Sequence, residues 1–433
     1  MKPSAQLQAT VELLGQYEQA NQPADRLMAK YFRERRYIGS KDKAAISHHF
    51  YAILRNMLCL DYLVDLVRPS ARENNENVYR MAAHLSLSGE KLDSHFTGAK
   101  YELAKLPQLD LERLQTIEDS MMEFAPENVR LNVPAWLLPA LKESLGDKLE
   151  QEAEAFNQQA STDLRVNTLK ADRQQVFDEL QQQRFACNKT DLSPWGIRFD
   201  KRVNIIGQDL FKQGCIEIQD EGSQLLSLLS AARPGLRVVD FCAGAGGKTL
   251  GIAAMMQNKG QIWACDVHSK RLEQLKKRQR RAGVHNVRVH HLSSENDKWV
   301  KQHAASADIV LLDSPCTGTG TWRRSPDARW RLERNDINEL VALQRSILES
   351  ACRLVKPGGT LIYATCSLLK EENEDQVGWF LAKNPQFSTK QIDLPDALQD
   401  CSAKLQIDGH QLRTFSALTN TDSFFMATMV RAR

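Results

Sequence analysis

The sequence has no pair of cysteines separated by two residues and no apolar run of membrane length, although nine cysteines occur among its 433 residues. They lie at 59, 187, 215, 242, 265, 316, 352, 366 and 401, odd in number and scattered, which argues against a disulfide framework. The nearest approach to a metal half-site, Cys265-Asp-Val-His268, has no second half nearby, so no metal is expected. A strong charge of one sign is also missing. With 57 basic against 54 acidic side chains the net charge is +3, too balanced to imply a polyanionic partner by itself. The opening residues, MKPSAQLQATVELLGQYEQ, lack the apolar core and small-residue cleavage site of a secretory signal, so a cytoplasmic protein with no membrane partner is expected. What remains is 42% hydrophobic and 26% charged, an ordinary globular composition at a length that predicts two or three domains.

Residues 1–150 read as an all-helical domain, because apolar positions recur at three-to-four spacing in LQATVELLGQYEQ, AAISHHFYAILRNMLCLDYLVDLV and VYRMAAHLSL. Arg33, Arg35, Arg36, Lys41, Lys43 and Arg55 occur there beside Tyr31, Phe32 and Tyr37, a mixture suited to RNA. A solvated helix end over core aromatics explains the same residues, and that reading leads because charge runs are common on surfaces. Residues 151–230 contain short alternating pieces, DLRVNTL, DRQQVFDELQQQ, WGIRFD and CIEIQDEGSQLLSLLS, which predict a small α+β module. Residues 231–433 alternate β-rich runs with helical stretches: LRVVDFCAG, QIWACDV, VRVHHL, ADIVLLDSPC and TLIYATCS are the predicted strands. That alternation predicts an α/β, doubly wound, mainly parallel sheet whose ligands bind at the carboxyl ends of the strands.

The first of these strands runs into Asp240-Phe241-Cys242-Ala243-Gly244-Ala245-Gly246-Gly247-Lys248-Thr249, where three glycines permit a tight turn and a close backbone approach to a cofactor. A phosphate-binding P-loop would need glycine at 242, and a dinucleotide fingerprint starting at Gly244 would need it at 249. Neither is present, and a nucleoside cofactor fits best. The second strand ends in Asp266, 20 residues beyond Gly246, where a carboxylate can accept from both hydroxyls of a ribose. An acid here suits NAD as well as S-adenosylmethionine, and it also suits a helix N-cap. The helix that follows carries Lys270, Arg271, Lys276, Lys277, Arg278, Arg280 and Arg281, expected as a solvated or RNA-facing surface.

Two cysteines at strand ends decide between these chemistries. The fourth strand leads into Asp313-Ser314-Pro315-Cys316-Thr317-Gly318, and the fifth into Thr365-Cys366-Ser367, with the cysteines 50 residues apart. One buried cysteine is usually packing. Two in strand-terminal turns beside a cofactor loop point to thiol chemistry. Cytosine C5 is a poor nucleophile, and addition of a thiolate to C6 makes it an electron-rich enamine carbon able to accept a methyl group. Lys248 is placed to supply positive charge or to bond the base, and Asp313 to bond its N3/N4 edge. Amine methyltransferases instead place Asn or Asp before Pro-Pro and an aromatic residue, where this chain has Ser314-Pro315-Cys316.

From about residue 151 to 433 the chain resembles the RsmB and NOP2/Sun family of RNA cytosine-C5 methyltransferases, through LRVNTL, IQDEGSQL, DFCAGAGGKT, DSPCTGTGTWRRSPDARW, YATCSLLKEENEDQV and FFMATMV. The resemblance implies a class I, Rossmann-like, seven-stranded methyltransferase domain using S-adenosylmethionine. It implies cofactor contacts from Cys242, Ala243, Gly244, Ala245, Gly246, Gly247 and Lys248, from Asp266 and from Asp313. It further implies that Cys366 is the nucleophile and that Cys316 helps release the product. The DNA cytosine enzymes follow their Pro-Cys nucleophile with Glu-Asn-Val, which occurs here only at 76–78 and 127–129, so RNA, and ribosomal RNA first, is the expected partner.

The residues before 151 resemble the family's NusB-like RNA-binding domain only loosely. Ala243-Gly244-Ala245-Gly246-Gly247 stands where the family commonly has Ala-Ala-Pro-Gly-Gly, and Ser293 where it often has an adenine-contacting aspartate. The segment TWRRSPDARWRLERND, with Arg323, Arg324, Arg329, Arg331 and Arg334 between Trp322 and Trp330, is expected to contact RNA. Transfer RNA as substrate and a catalytically silent RNA-binding or assembly factor are the alternatives. A monomer is expected, with no obligate protein partner.

Overall fold

The computed structural model describes residues 1–20, 22–68, 76–199, 201, 203–399 and 401–433; Asp200, the last residue of the predicted WGIRFD strand, lies outside them. The chain forms two units. One comprises Met1–Lys142, Gly146–Gln158 and Trp322–Leu332, and the other Glu143–Leu145, Gln159–Thr321 and Glu333–Arg433.

The first unit is helical. Its first helix, Pro3–Gln19, begins with proline in the first turn and buries Leu7, Leu13, Leu14 and Tyr17 at three-to-four spacing. The longer helices Ala24–Glu34, Ser40–Arg55, Met57–Val67 and Glu76–Leu87 follow and share one apolar core that includes Leu13, Phe50, Ile53 and Met81. Buried Arg80 is matched by carboxylates: its guanidinium donates to Asp61 at 2.5 and 3.0 Å, to Glu76 at 2.8 Å and also to Glu18. The basic patch at its surface is divided. Tyr31 is buried with Arg35 stacked on its ring at 3.8 Å, whereas Arg33, Arg36, Tyr37 and Lys41 are exposed.

The segment Trp322–Leu332 belongs to this unit and corrects an expectation. Trp322, Arg323 and Arg329 are buried, so they are not a phosphate-contacting surface. Arg329 donates to the Asn132 carbonyl at 2.6 Å and to Asn157 Oδ1 at 3.0 Å. Its guanidinium lies 4.8 Å from the Trp322 ring centre and 5.4 Å from that of Trp330. Asp327 accepts from the Ala24 amide at 3.0 Å and from Arg331 Nε at 3.0 Å. Interleaved arginine and tryptophan look alike in sequence whether they stack on bases or on one another; here they stack on one another.

The second unit holds two sheets. The smaller is antiparallel, in the order β2-β3-β1-β4, with β1 at Thr162–Val166, β2 at Asn188–Lys189, β3 at Gly196–Phe199 and β4 at Ile216–Ile218. In the larger, β5 (Arg237–Asp240), β6 (Gln261–Asp266), β7 (Val287–His291), β8 (Ala307–Asp313) and β9 (Val355–Thr365) are the five expected strands. They are parallel in the spatial order β7-β6-β5-β8-β9. After them come β10 (Phe387–Thr389), β11 (Gln406–Asp408), β12 (Gln411–Arg413) and β13 (Phe425–Arg431).

Strand β13 runs antiparallel beside β9. Its other edge is shared by two short strands, β12 along Phe425–Ala427 and β10 along Met429–Arg431. That division, together with β11 outside β12, gives nine strands among the described residues where seven were expected. Alternate residues of the central strands enter different cores. Val238, Ile262, Leu311 and Ile362 pack on one face, and Val239, Cys265, Val310 and Leu361 on the other. Burial on both faces explains why these strands read as continuous apolar runs. Strand order reverses between β5 and β8, which opens a crevice at their carboxyl ends.

Among the described residues no helix is long and apolar enough to cross a membrane. Trp322 is fully buried and packs edge-on against Phe156 at 5.5 Å. Trp322→Ala is expected to destabilise the fold by about 3–5 kcal/mol, read as a lower midpoint in urea denaturation; an unchanged midpoint would remove this side chain from the core.

Candidate functional site

Four strand ends meet at the crevice. Strand β5 delivers Asp240 and the loop to Gly246, β6 delivers Asp266, β8 delivers Asp313 and then Cys316, and β9 delivers Cys366. Together they line a cavity of about 600 Å³.

The loop after β5 is shaped by Gly246, whose φ of 85° is left-handed and where a Cβ would lie 2.6 Å from Leu275 Cγ. The loop closes through Gly246 N–H donating to the Ala243 carbonyl at 2.9 Å, and Arg278 clamps the Ala245 carbonyl at 2.9 Å. The helix Gly247–Met255 starts directly after it. Asp266 ties the loop to the next strand end, accepting from the Gly244 amide at 2.8 Å and the His268 amide at 2.7 Å.

Lys248, in the first turn of that helix, donates to Asp313 Oδ2 at 2.6 Å. Burial works against its charge, but the Asp313 carboxylate outweighs burial and holds the Lys248 pKa above the ordinary lysine value. The ammonium therefore stays charged inside the site.

Cys316 and Cys366 face each other with sulfurs 3.5 Å apart. The hydrogen bond to Cys366, with burial next, pushes the Cys316 thiol well above the usual cysteine range. The turn after Cys316 is held against Cys366 by Gly320, whose amide donates to the Cys366 carbonyl at 2.9 Å. A side chain there would not fit, since a Cβ would come 2.4 Å from the Ser423 carbonyl oxygen.

The cavity is lined by Cys242, Ala243, Gly244, Ala245, Gly247, Lys248, Asp266, Asp313, Cys316 and Cys366 from the sequence reading, while Gly246 shapes the turn from behind. Ser293 is not among the lining residues. Its amide and hydroxyl donate to Asp297 Oδ2 at 2.9 and 2.7 Å, and Asp297 caps the helix Lys298–Gln302. Leu292 and Glu295 line the cavity at that edge instead. The short polar run HHLSSEND does not reveal which residue turns inward.

Sequence reasoning also missed Asp240, the acid that ends β5 inside an apolar run. It is buried and lines the cavity, with Oδ2 accepting from the Thr249 hydroxyl at 2.6 Å and Oδ1 lacking a partner among the described residues. Burial, with help from nearby Asp313, pushes its carboxyl up to about 7.

These residues fit S-adenosylmethionine. The orphaned Asp240 oxygen calls for a donor such as an ammonium or hydroxyl, the Asp266 carboxylate lines the same cavity, and Leu292, Leu343 and Ile347 give the cavity an apolar wall. Fold and site together define a Rossmann-like methyltransferase that draws on S-adenosylmethionine. A family model described as 16S rRNA methyltransferase RsmB/F matches residues 227–430, and one described as an RsmF/B-like ferredoxin-like domain matches residues 133–206. The chain is 32% identical to a probable ribosomal RNA small subunit methyltransferase B of Synechocystis, over 69% of this chain and 67% of that protein. It is 27% identical to the protein of the same description in Bacillus subtilis, over 99% of both chains. A crystal structure of a methyltransferase homolog protein from Pyrococcus horikoshii matches with a TM-score of 0.58 at 28% identity, over 73% of this chain and 100% of that one. The chain belongs to the RsmB and NOP2/Sun family of methyltransferases.

A carboxyl whose pKa rises on folding adds stability below its unfolded pKa and loses that contribution as pH climbs through the folded value, here about 7. Melting curves of Asp240→Asn against the parent protein should therefore show a difference that shifts in favour of the variant between pH 5 and pH 8. A difference independent of pH would mean that Asp240 does not titrate in this window.

Proposed function

We propose that this protein methylates cytosine C5 in RNA, with 16S ribosomal RNA as its substrate, through a covalent bond between Cys366 and C6. It would act in the cytoplasm, as a monomer without an obligate protein partner, with residues 1–150 binding RNA, 151–230 as a small α+β module and 231–433 carrying out methyl transfer. The observation that carries the reading is a pair of sulfurs 3.5 Å apart that line one cavity with the Lys248–Asp313 ion pair. The hydrogen bond to Cys366 and burial keep Cys316 protonated, which supports Cys316 as proton holder and leaves Cys366 as nucleophile.

In this reading the Cys366 thiolate adds to C6, and the electron pair displaced from the C5–C6 double bond makes C5 nucleophilic. Asp313, its carboxylate fixed by Lys248, accepts a hydrogen bond from the N4 amino group and holds the ring in register. When bound, S-adenosylmethionine supplies an electrophilic methyl group. After C5 has taken it, the C5 proton passes to water, its bonding pair restores the C5–C6 double bond, and the C6–S bond breaks with its pair on Cys366. Cys316 hydrogen-bonds that departing thiolate from 3.5 Å away.

Bisulfite sequencing of total RNA from a strain lacking the gene, complemented with the parent protein or with Cys366→Ala, tests this directly. One cytosine in 16S ribosomal RNA should be protected by the parent protein alone. A protected cytosine in transfer RNA would overturn the substrate, and protection surviving Cys366→Ala would overturn the nucleophile.

A further inference from the structure

Behind the thiols lies a carboxylate bonded to the residue that follows each of them. Glu372 is fully buried, and four donors converge on it. Oε1 accepts from the Thr317 amide at 2.9 Å and from Gln344 Nε2 at 2.9 Å. Oε2 accepts from the Thr317 hydroxyl at 2.5 Å and from the Ser367 hydroxyl. Thr317 directly follows Cys316 and Ser367 directly follows Cys366, so one side chain grips both cysteine-bearing turns.

Its neighbours extend the grip. Gln344 also donates to the carbonyl of Pro315, before Cys316, at 3.0 Å. Asn373 accepts from the Thr365 hydroxyl at 2.5 Å and donates to the Ser367 carbonyl at 2.9 Å, bracketing Cys366 from both sides. Burial raises the Glu372 pKa, while the converging donors work to lower it. A buried carboxylate is costly unless its oxygens are fully bonded, so the cluster resists being pulled apart.

We propose that Glu372 is a positioning residue that fixes the spacing of the Cys316 and Cys366 thiols, and through it the step in which the enzyme–RNA bond breaks. This rests on the reading of Cys366 as nucleophile and Cys316 as release group. Losing the carboxylate frees the two turns to separate, and a thiol that drifts from the departing sulfur no longer assists it. Glu372→Gln keeps the arrangement: its carbonyl oxygen takes the place of Oε1, and the Thr317 and Ser367 hydroxyls rotate to accept from its amide group. Geometry, not charge, is the function assigned.

Phenylarsine oxide bridges pairs of close thiols, and its capture rate on the full-length protein reads the spacing without any methyl transfer. Cys366→Ala marks the background from the other cysteines. Glu372→Ala should slow capture roughly tenfold, lower kcat with KM for RNA unchanged, and raise the fraction of enzyme held as covalent RNA adduct. Glu372→Gln should restore all three. Wild-type capture in a folded Glu372→Ala, or a wild-type adduct fraction despite slowed capture, would overturn the proposal. If Glu372→Ala does not fold, Thr317→Ala combined with Ser367→Ala removes the hydroxyl bonds and decides by the same outcomes. Were the functional reading itself wrong, the parent protein would form no adduct, while arsenical capture would still report whether Glu372 holds the thiols together.

Discussion

A buried ammonium held by a single carboxylate organises the site. Lys248 and Asp313 meet at 2.6 Å across the point where strand order reverses, joining the loop of β5 to the end of β8. Taking such a charge out of water is expensive, and only a close, well-bonded partner makes it tolerable. The pairing therefore constrains its surroundings. The helix carrying Lys248 must begin immediately after Gly246, β8 must end at Asp313, and the cysteine turn that follows must begin beside Lys248. Because Lys248 lines the same cavity as Cys316 and Cys366, the charge that joins two elements also stands in the chamber of the thiols. Structural and chemical demands converge on one side chain.

Much of this was visible in the residues themselves, for identifiable reasons. The parallel strands β5, β6, β8 and β9 are largely buried on both faces, so they stand out as apolar runs, and the residues at or after their carboxyl ends, Asp266, Asp313, Cys316 and Cys366, are where polarity interrupts those runs. The glycine loop announces itself because only glycine adopts the φ of Gly246 against Leu275. What could not be read depended on direction. Ser293 and Leu292 are adjacent, and nothing in HHLSSEND tells which one turns into the cavity. Trp322 and Arg329 carry the residue types of an RNA-binding loop, and only tertiary packing shows that they fill the core of the helical unit. The edge of β13 is covered by two short strands, β10 and β12, too brief to leave a periodic trace.

Glu372 illustrates a different limit. It was visible as part of YATCSLLKEENEDQV, yet its importance comes from Thr317, which lies 55 residues earlier in the chain. Long-range convergence of hydrogen bonds on one carboxylate has no local signature. The strands that bring Thr317 and Ser367 together, β8 and β9, pair in parallel from Ile309 against Thr360 to Asp313 against Ala364. The sheet register thus aligns the two turns coarsely, and the carboxylate completes the alignment at the level of individual bonds.

The assignment of roles to the two sulfurs is the central claim, and the most direct measurement is the identity of the residue bonded to RNA. Cys316→Ala protein incubated with substrate RNA and S-adenosylmethionine, denatured, digested and mapped by mass spectrometry should carry the nucleotide on the peptide containing Cys366. In the reciprocal Cys366→Ala protein no nucleotide should be attached anywhere. A nucleotide found on Cys316 in that second protein would reverse the assignment of nucleophile and release group.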